Sequence, residues 1–442
     1  MDNTVDLLTM LAARERRVGR QQALLQAYGL PLVSFTLNIA GPVKNSPLIR
    51  RGFRLGRRLL LQQLSCEKAE IVRQEETDEP TGCEGLYVVR MDAEKLKRIT
   101  CSLEDSLPVG RLFDMDVLSP DGTKLDRPQP RRCLICGGPA KDCARSRTHS
   151  VPELQAKTKS ILEDALKEDD AARIASLASR SLLYEVCTTP KPGLVDRNDS
   201  GSHRDMDIYT FMNSASVLWP YFAACFRTGR ETAEEPAPHT LEALRFNGRL
   251  AEGDMLQATK GVNTHKGAIY TLGIICGALG RLDPDARQDP QQILREAAAM
   301  AAGEVQKMAA LPERTAGEKL YGTLGVTGVR GQAQAGFPAV LTGLPVLEDG
   351  LARGLPTDLA GSAAMLSMLA VTEDTNMLKR GGSMRSRNAA GALSVLLAAN
   401  PYPDRETLAS LNREYTEDNL SPGGSADLLA LCYFLHFLKE DF

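Results

Sequence analysis

Asp114 and Asp116 sit one residue apart in GRLFDMDVLSP, residues 110–120, interleaved with Phe113, Met115 and Val117. Strand alternation sends residues of one parity to one face, so the two carboxylates point together and the apolar side chains point to a core. Ionised acids this close repel and are costly to bury unpaired, so they call for positive charge. Mg²⁺ takes one or two carboxylates plus substrate phosphates, and serves phosphoryl or nucleotidyl transfer by stabilising attacking and leaving oxygens. The plainer alternative is an exposed strand edge. Upstream residues support the metal: Gly41-Pro-Val-Lys44 follows a strand, then come Arg50, Arg51, Arg54, Arg57 and Arg58. On a helix, Arg50, Arg54, Arg57 and Arg58 share one broad face. A Gly loop, a helix start and guanidinium forks make a phosphate cradle.

A second set of ligand types is Cys133-x₂-Cys136-x₆-Cys143-x₅-His149. These suit zinc and the first spacing is right, but the usual second pair spacing is missing. The alternative is a tight turn of reduced thiols with Arg145, Arg147 and His149 facing phosphate.

Further along, polar Gly-rich clusters precede or follow apolar runs. They are Thr189-Pro-Lys191-Pro-Gly193, Gly201-Ser-His-Arg-Asp205-Met-Asp207, and Gly261-Val-Asn263-Thr-His265-Lys266-Gly267. Then follow Gly328-Val-Arg330-Gly331, Glu373-Asp374-Thr-Asn376 with Arg380, and Asn419-Leu-Ser-Pro-Gly423-Gly424-Ser425-Ala-Asp427. Two prolines stiffen the chain around Lys191. His265 and Lys266 fall at a helix start, where the dipole favours anions, and the 419–427 loop has the small residues that phosphates favour. Singly each could be a capping device; together they predict one lined cleft.

The elements that must position these groups divide the chain. At 442 residues it is long enough for two or three domains, and 43% apolar with 25% charged residues is ordinary globular composition,. Before about residue 165 the periods alternate: a helix ends at Tyr28-Gly29, a strand covers Val33–Ile39, and a basic helix starts near Leu48. A strand at 86–89, a helix near 93–102, the acidic strand and a hairpin at Pro120-Asp121-Gly122 follow. This predicts an α+β domain with a mixed sheet over 1–165, nucleotidyltransferase-like in its acidic strand and basic loop. Residues 166–442 predict an all-α domain, with a helix ending at 161–166 before the junction.

Net charge is only −3, but Arg16–Cys66 holds nine Lys or Arg and no carboxylate, the pattern of a solvated face or an anion site. The same arginines could meet nucleic acid, yet 5% aromatics leave little for base stacking, and no nucleic-acid partner is expected. The start lacks a signal-peptide pattern. Ten scattered cysteines without a disulfide framework predict a reducing cytoplasm,. The uncharged run 208–226 is long enough to span a bilayer, but its polar residues and Pro220 predict a kinked core helix, and no membrane partner.

These strings resemble two families. GPVKNSP, GRLFDMDV and CLICGGPAKDCARSRTHS resemble the apo-citrate lyase phosphoribosyl-dephospho-CoA transferases, over 1–165. TPKPGLVDRNDSGSHRDMD, GVNTHKGAIYTLG, GVRGQAQAGFP, EDTNMLKRGG and LSPGGSADLLA resemble the triphosphoribosyl-dephospho-CoA synthases, over 166–442. The resemblance implies a bifunctional enzyme that builds the citrate lyase prosthetic group from ATP and 3′-dephospho-CoA. It would then attach the group to the apo acyl carrier (γ) subunit, using Mg²⁺. It implies Asp205, Glu373 and Asp374 for Mg²⁺ or general-base work and His265 as an acid/base. Lys191, Asn263, Lys266, Arg330, Arg380 and Gly423–Ser425 are implied at the substrates. In the first domain it implies Asp114 and Asp116 on Mg²⁺, and Lys44, Arg50, Arg51 and Arg54 at the phosphates, with Arg16–Cys66 as a landing surface for an acidic carrier. Gln332 stands where a Glu is expected for the family. The competing reading is a template-free nucleotidyltransferase with a helical substrate-binding module.

Overall fold

The computed structural model describes residues 4–310 and 316–441. The chain forms two compact units, residues 1–169 and 170–442.

In unit 1, Asp6 caps α1 (Leu7–Tyr28) by accepting from the Thr9 amide at 2.7 Å, and Gly29 ends it in the left-handed region,. There follow β1 (Leu32–Leu37), α2 (Pro47–Cys66), β2 (Glu70–Glu79), β3 (Gly82–Arg90), α3 (Ala93–Ser106) and β4 (Phe113–Leu118). The sheet order is β2-β3-β1-β4 and every pairing is antiparallel. The expected mixed sheet is corrected here: β3 and β4 run the same way, but β1 lies between them, so no parallel pair forms. The sequence pattern alone does not predict β2. EIVRQEETDE shows no apolar alternation, because this edge strand has β3 on one side only and carries acids that meet arginines.

Both faces of this sheet are covered. Val33, Phe35, Tyr87, Val89, Phe113, Met115 and Val117 form one core with Phe53 and Leu60 of α2, Leu96 of α3, and Ile161 and Leu162. Leu32, Leu86 and Val88 pack on the other face against Leu24 and Leu25 of α1. Helix α2 approaches closely at Gly56, where a Cβ would lie 2.5 Å from the Phe35 ring. The expected helix end at 161–166 is absent. One helix, Val151–Cys187, runs through the junction, since after Pro152 it holds neither Gly nor Pro to break it,.

Unit 2 is helical, without a strand among the described residues. The uncharged run splits into Ile208–Val217 and Trp219–Glu231, with Pro220 in the first turn of the second, where a missing amide costs nothing. Among the described residues no helix is long and apolar enough to cross a membrane. Lys266–Arg281 is buried without interruption from Thr271 to Gly280, and Thr357–Leu369 is nearly so. Helices apolar on all sides belong inside, and these two pack with Gly423–Asp441 in one core. The starts of Lys266–Arg281, Thr375–Ala399 and Gly423–Asp441 lie at the polar clusters.

Candidate active sites

A cavity of about 760 Å³ opens in unit 2, a size typical of small-molecule sites. Its lining gathers Lys191, Asp205, Asn263, His265, Lys266, Glu373, Asp374, Arg380, Gly423, Gly424 and Ser425 from five separate stretches of chain. Arg330 is the exception: it is not in the lining, and its guanidinium reaches Glu318 at 3.4 Å. Gln332 lines the cavity and accepts from the Ala339 amide at 3.3 Å.

The helix starts around the cavity are filled by the protein's own carboxylates. Asp374 caps Thr375–Ala399: Oδ1 accepts from the Asn376 and Met377 amides at 2.9 and 3.2 Å. Its Oδ2 accepts from the Ser425 amide and hydroxyl at 2.8 and 3.1 Å. Burial pushes this carboxyl up, against the pull of those same bonds. Four bonds on two oxygens leave Asp374 little capacity as metal ligand or base, so the geometry makes it a positioning residue. They also use the Ser425 donors expected for phosphate. Asp427 lies against the next helix start, accepting from the Ala268 amide. A Cβ on Gly267 would fall 1.8 Å from its Oδ2. Burial, then the negative charges of Glu185 and Asp374, push Asp427 well above the ordinary carboxylate range. In the sequence Asp427 is only the last letter of a motif; a lone acid near the start of an apolar helix is the available signal.

The cations are also largely spoken for. Lys191 is 1% exposed and its Nζ donates to Glu185, both to the carboxylate and to the backbone carbonyl at 2.9 Å. The stiff loop expected to present Lys191 to a ligand instead buries it in an ion pair. Lys266 meets Glu252 at 2.7 Å. Arg380 donates to the Ser202 carbonyl and to Asn419 Oδ1, yet its buried Nε has no partner. Asp205, Glu373 and Asn263 are exposed in the lining, as is Lys379, which the sequence reading did not single out.

His265 is 2% exposed. Its Nδ1 shares a 2.7 Å hydrogen bond with the Ser214 hydroxyl, and the Phe211 ring stands edge-on at 5.0 Å. Nε2 is buried without a partner. Burial first, and Lys191 second, lower its pKa to about 3, so the ring is neutral and Nε2 is available to a ligand. His203, also unanticipated, holds Ser421 Oγ at 2.7 Å and leaves Nδ1 without a hydrogen bond.

In unit 1 the two strand aspartates do share a face. β4 alternates buried Phe113, Met115 and Val117 with part-exposed Asp114 and Asp116, which lie beside Thr36 and Ser34 of β1. Each meets a cation that the sequence reading did not name: Asp114 meets Arg131 at 3.1 Å and Asp116 meets Lys124 at 2.5 Å. Arg131 also reaches buried Glu104 at 2.6 Å, and Glu104 accepts from the Met115 amide on the free edge of β4 at 2.7 Å.

A smaller cavity of about 130 Å³ is lined by Lys44, Asp114, Thr36, Asn38, and Arg14 and Arg17 of α1. Lys44 donates to the Ile39 carbonyl at 2.5 Å, and burial, then Arg14, lower its pKa. The expected arginine cradle does not line this cavity. Arg50 turns to Asn45 and Asp78, Arg57 to Glu76 and Arg58 to Asp169. Arg51 is part-buried and Arg54 exposed, both outside it. Much of the positive charge in the carboxylate-free stretch 16–66 is thus met in the fold, because Arg16, Arg17 and Arg20 also meet Glu79 and Glu84.

Beyond Arg131 the fold brings Cys133, Cys136, Cys143 and His149 together, with ligand atoms all within 4.8 Å of one another. Among the described residues this is the one group of three or more His, Cys, Asp or Glu that could hold a metal.

Two transferase families account for this pair of units. Residues 171–442 match the family described as CitG, ATP:dephospho-CoA triphosphoribosyl transferase, and the chain belongs to it. Residues 5–165 match CitX, apo-citrate lyase phosphoribosyl-dephospho-CoA transferase. A Haemophilus influenzae protein named Protein CitXG is 35% identical, over 98% of this chain and 96% of that protein. Its namesake in Leuconostoc mesenteroides subsp. cremoris is 30% identical, over 98% and 97%. A protein of Albidiferax ferrireducens, named probable 2-(5''-triphosphoribosyl)-3'-dephosphocoenzyme-A synthase, is 41% identical over 60% of this chain and 91% of its own. The chain is an enzyme that joins both transferase families and serves maturation of the citrate lyase prosthetic group.

Proposed function

We propose that unit 2 joins ATP to 3′-dephospho-CoA. The 2′-hydroxyl oxygen of dephospho-CoA bonds to the anomeric carbon of the ATP ribose while the bond to adenine breaks. The hydroxyl proton passes to a base, adenine takes a proton as it leaves, and 2′-(5″-triphosphoribosyl)-3′-dephospho-CoA remains. Unit 1, nucleotidyltransferase-like in role, then directs a serine hydroxyl of the apo acyl carrier (γ) subunit to the α-phosphate, and pyrophosphate departs. The observation that carries this reading is the one cavity gathering five distant polar clusters, with an unpartnered His265 Nε2 and a raised Asp427 in its wall.

Cleavage of the bond to adenine builds positive charge on the ribose, which nearby carboxylates stabilise. Asp427, whose carboxyl burial and neighbouring acids push well above the ordinary range, gives a proton to adenine and then faces that charge as a carboxylate. His265 Nε2 accepts from the incoming hydroxyl; an anionic substrate would offset both causes that lower its pKa. Lys379 and the Arg380 Nε edge are the cations left for phosphates.

The sites differ in how well they fit Mg²⁺. Asp374 is saturated, and Asp205 and Glu373 form no converging set of three ligands with it. Asp114 and Asp116 fit better: two carboxylates on one face, each with a single cation partner that substrate phosphates could draw away. Mg²⁺ bound there would neutralise the phosphate chain as pyrophosphate departs. A cytoplasmic setting accords with ten free cysteines. The test is to incubate the protein with ATP, dephospho-CoA, Mg²⁺ and apo-carrier. Adenine should appear only when dephospho-CoA is present, and the carrier should gain the phosphoribosyl-dephospho-CoA mass. Adenine or ribose phosphates released without dephospho-CoA would overturn the assignment.

A further inference from the structure

Residues 119–150 follow β4 and return over it, yet they lack a core. Cys133 is the only buried side chain there among the described residues. The segment is nonetheless tightly turned. The Cys133 amide donates to the Gly138 carbonyl at 2.6 Å and the Gly137 amide to the Cys133 carbonyl at 3.2 Å, with Gly137 at φ 72°. The Ala140 amide returns to the Arg131 carbonyl at 2.9 Å, and the short helix Ala140–Ser146 closes with the Thr148 amide on Cys143 at 3.1 Å. Leu134 packs partly against the sheet core, and Arg127 and Arg131 tie the segment to Glu104. So few contacts do not repay the entropy of ordering some thirty residues, and a further tie is called for.

The cysteine turn supplies the means. The Ile135 amide points at Cys133 Sγ from 3.5 Å, the donor a thiolate would use. Cys136 and Cys143 sulfurs are 3.4 Å apart, and His149 Nε2 is buried with no hydrogen-bond partner. Around a tetrahedral ion with Zn–S about 2.3 Å and Zn–N about 2.0 Å, ligand atoms stand about 3.5–3.8 Å apart. The four atoms here already fall within 4.8 Å. Three thiolates and one imidazole exclude the hard cations and favour zinc.

We propose that Cys133, Cys136, Cys143 and His149 bind one zinc ion in a closed, four-coordinate structural site. Four protein ligands leave no open position for a water or substrate, so the ion holds the chain rather than reacting. Each cysteine gives up its thiol proton on binding. What the ion holds is mechanically specific. The same segment carries Arg127 and Arg131, which anchor on Glu104, and Arg131 goes on to Asp114. The zinc turn thus holds the chain that carries the arginine facing the strand aspartate.

The test uses the full chain, purified without chelator or affinity metal. Elemental analysis should give about one zinc per chain, and Co²⁺ exchanged into the site should show tetrahedral ligand-field and thiolate charge-transfer bands. Cys143→Ser and His149→Ala should lose the zinc or shift the Co²⁺ spectrum. Because those variants could misfold, a mercurial titration of the wild-type chain provides a second reading: zinc should leave in step with modification of the cysteine thiols. Wild-type protein without zinc, zinc release unlinked to thiol modification, an octahedral Co²⁺ spectrum, or a Cys136–Cys143 disulfide in mass spectrometry would each overturn the proposal.

Discussion

In unit 2 two of the acids lining the cavity, Asp374 and Asp427, are set against helix starts and answer backbone amides. In unit 1 Asp114 and Asp116 stay part-exposed on a sheet and answer Arg131 and Lys124. Burial without a matching cation raises a carboxyl pKa and makes a proton donor. A surface ion pair is worth little and exchanges readily. The same residue type is thus prepared for proton transfer in one unit and for holding a cation in the other, as the two proposed reactions require.

The largest expected effect breaks this contrast at Asp427. Asp427→Asn keeps the shape but has no acidic proton, and adenine release should fall by about 10²–10⁴-fold, the usual worth of a positioned general acid. Carrier modification from premade triphosphoribosyl intermediate should be unchanged. Stability should move the other way. The folded carboxyl holds a proton that the unfolded one releases near pH 4, so folded stability falls as pH rises through the window above that value. The variant lacks this titration and should melt a few degrees higher at neutral pH, of order 2–4 °C per kcal/mol. Lower melting with full activity would show that Asp427 is only a helix cap.

A similar loss is expected in the opposite unit from Asp114→Asn. Carrier modification should drop by about 10²-fold or more if the carboxylate helps to hold Mg²⁺, with adenine release intact. Raising Mg²⁺ should partly rescue it. Loss of adenine release as well would mean that the two sites are not independent.

What could be read beforehand follows the same division. The clusters of unit 2 were legible because Gly, Pro and polar residues at the ends of apolar helices leave few places to go but a shared cleft. Their detailed roles were not legible. Nothing in TPKPG says that Glu185, six residues earlier, will consume the charge of Lys191, and nothing in SPGGSAD says that Ser425 will give both donors to Asp374. In unit 1 the parity of Asp114 and Asp116 followed from alternation alone. The arginines misled because pairing across a sheet is non-local: the charges of α2 are met by β2, a strand without a readable pattern. Arg131, distant from Asp114 in pattern though not in chain, had no sequence signal at all.

A smaller effect tests the neutral imidazole. His265 titrates near 6.5 when unfolded and at about 3 when folded, so below pH 6.5 the unfolded state binds the extra proton and folded stability falls with acidification. At pH 5 the loss amounts to about 2 kcal/mol. His265→Asn should flatten that limb of the pH–stability curve while lowering adenine release. An unchanged limb would place the titration elsewhere.

The smallest effect is expected where the sequence promised a large one. Arg50 is held by Asn45 and lies 4.0 Å from Asp78 at the surface, so Arg50→Ala should alter carrier modification by less than about two-fold, in line with the 0–1 kcal/mol of such pairs. The same pairing bears on salt. If nine bare cations received the carrier, its docking would weaken steeply with ionic strength. With Arg16, Arg17, Arg20, Arg57 and Arg58 already matched by acids, the dependence should be shallow, though still greater than that of adenine release. Arg14, exposed beside Asp114 and Lys44 in the small cavity, is the better candidate for meeting substrate charge, and Arg14→Ala should exceed Arg50→Ala in a side-by-side carrier assay. The reverse order would return the anion site to α2.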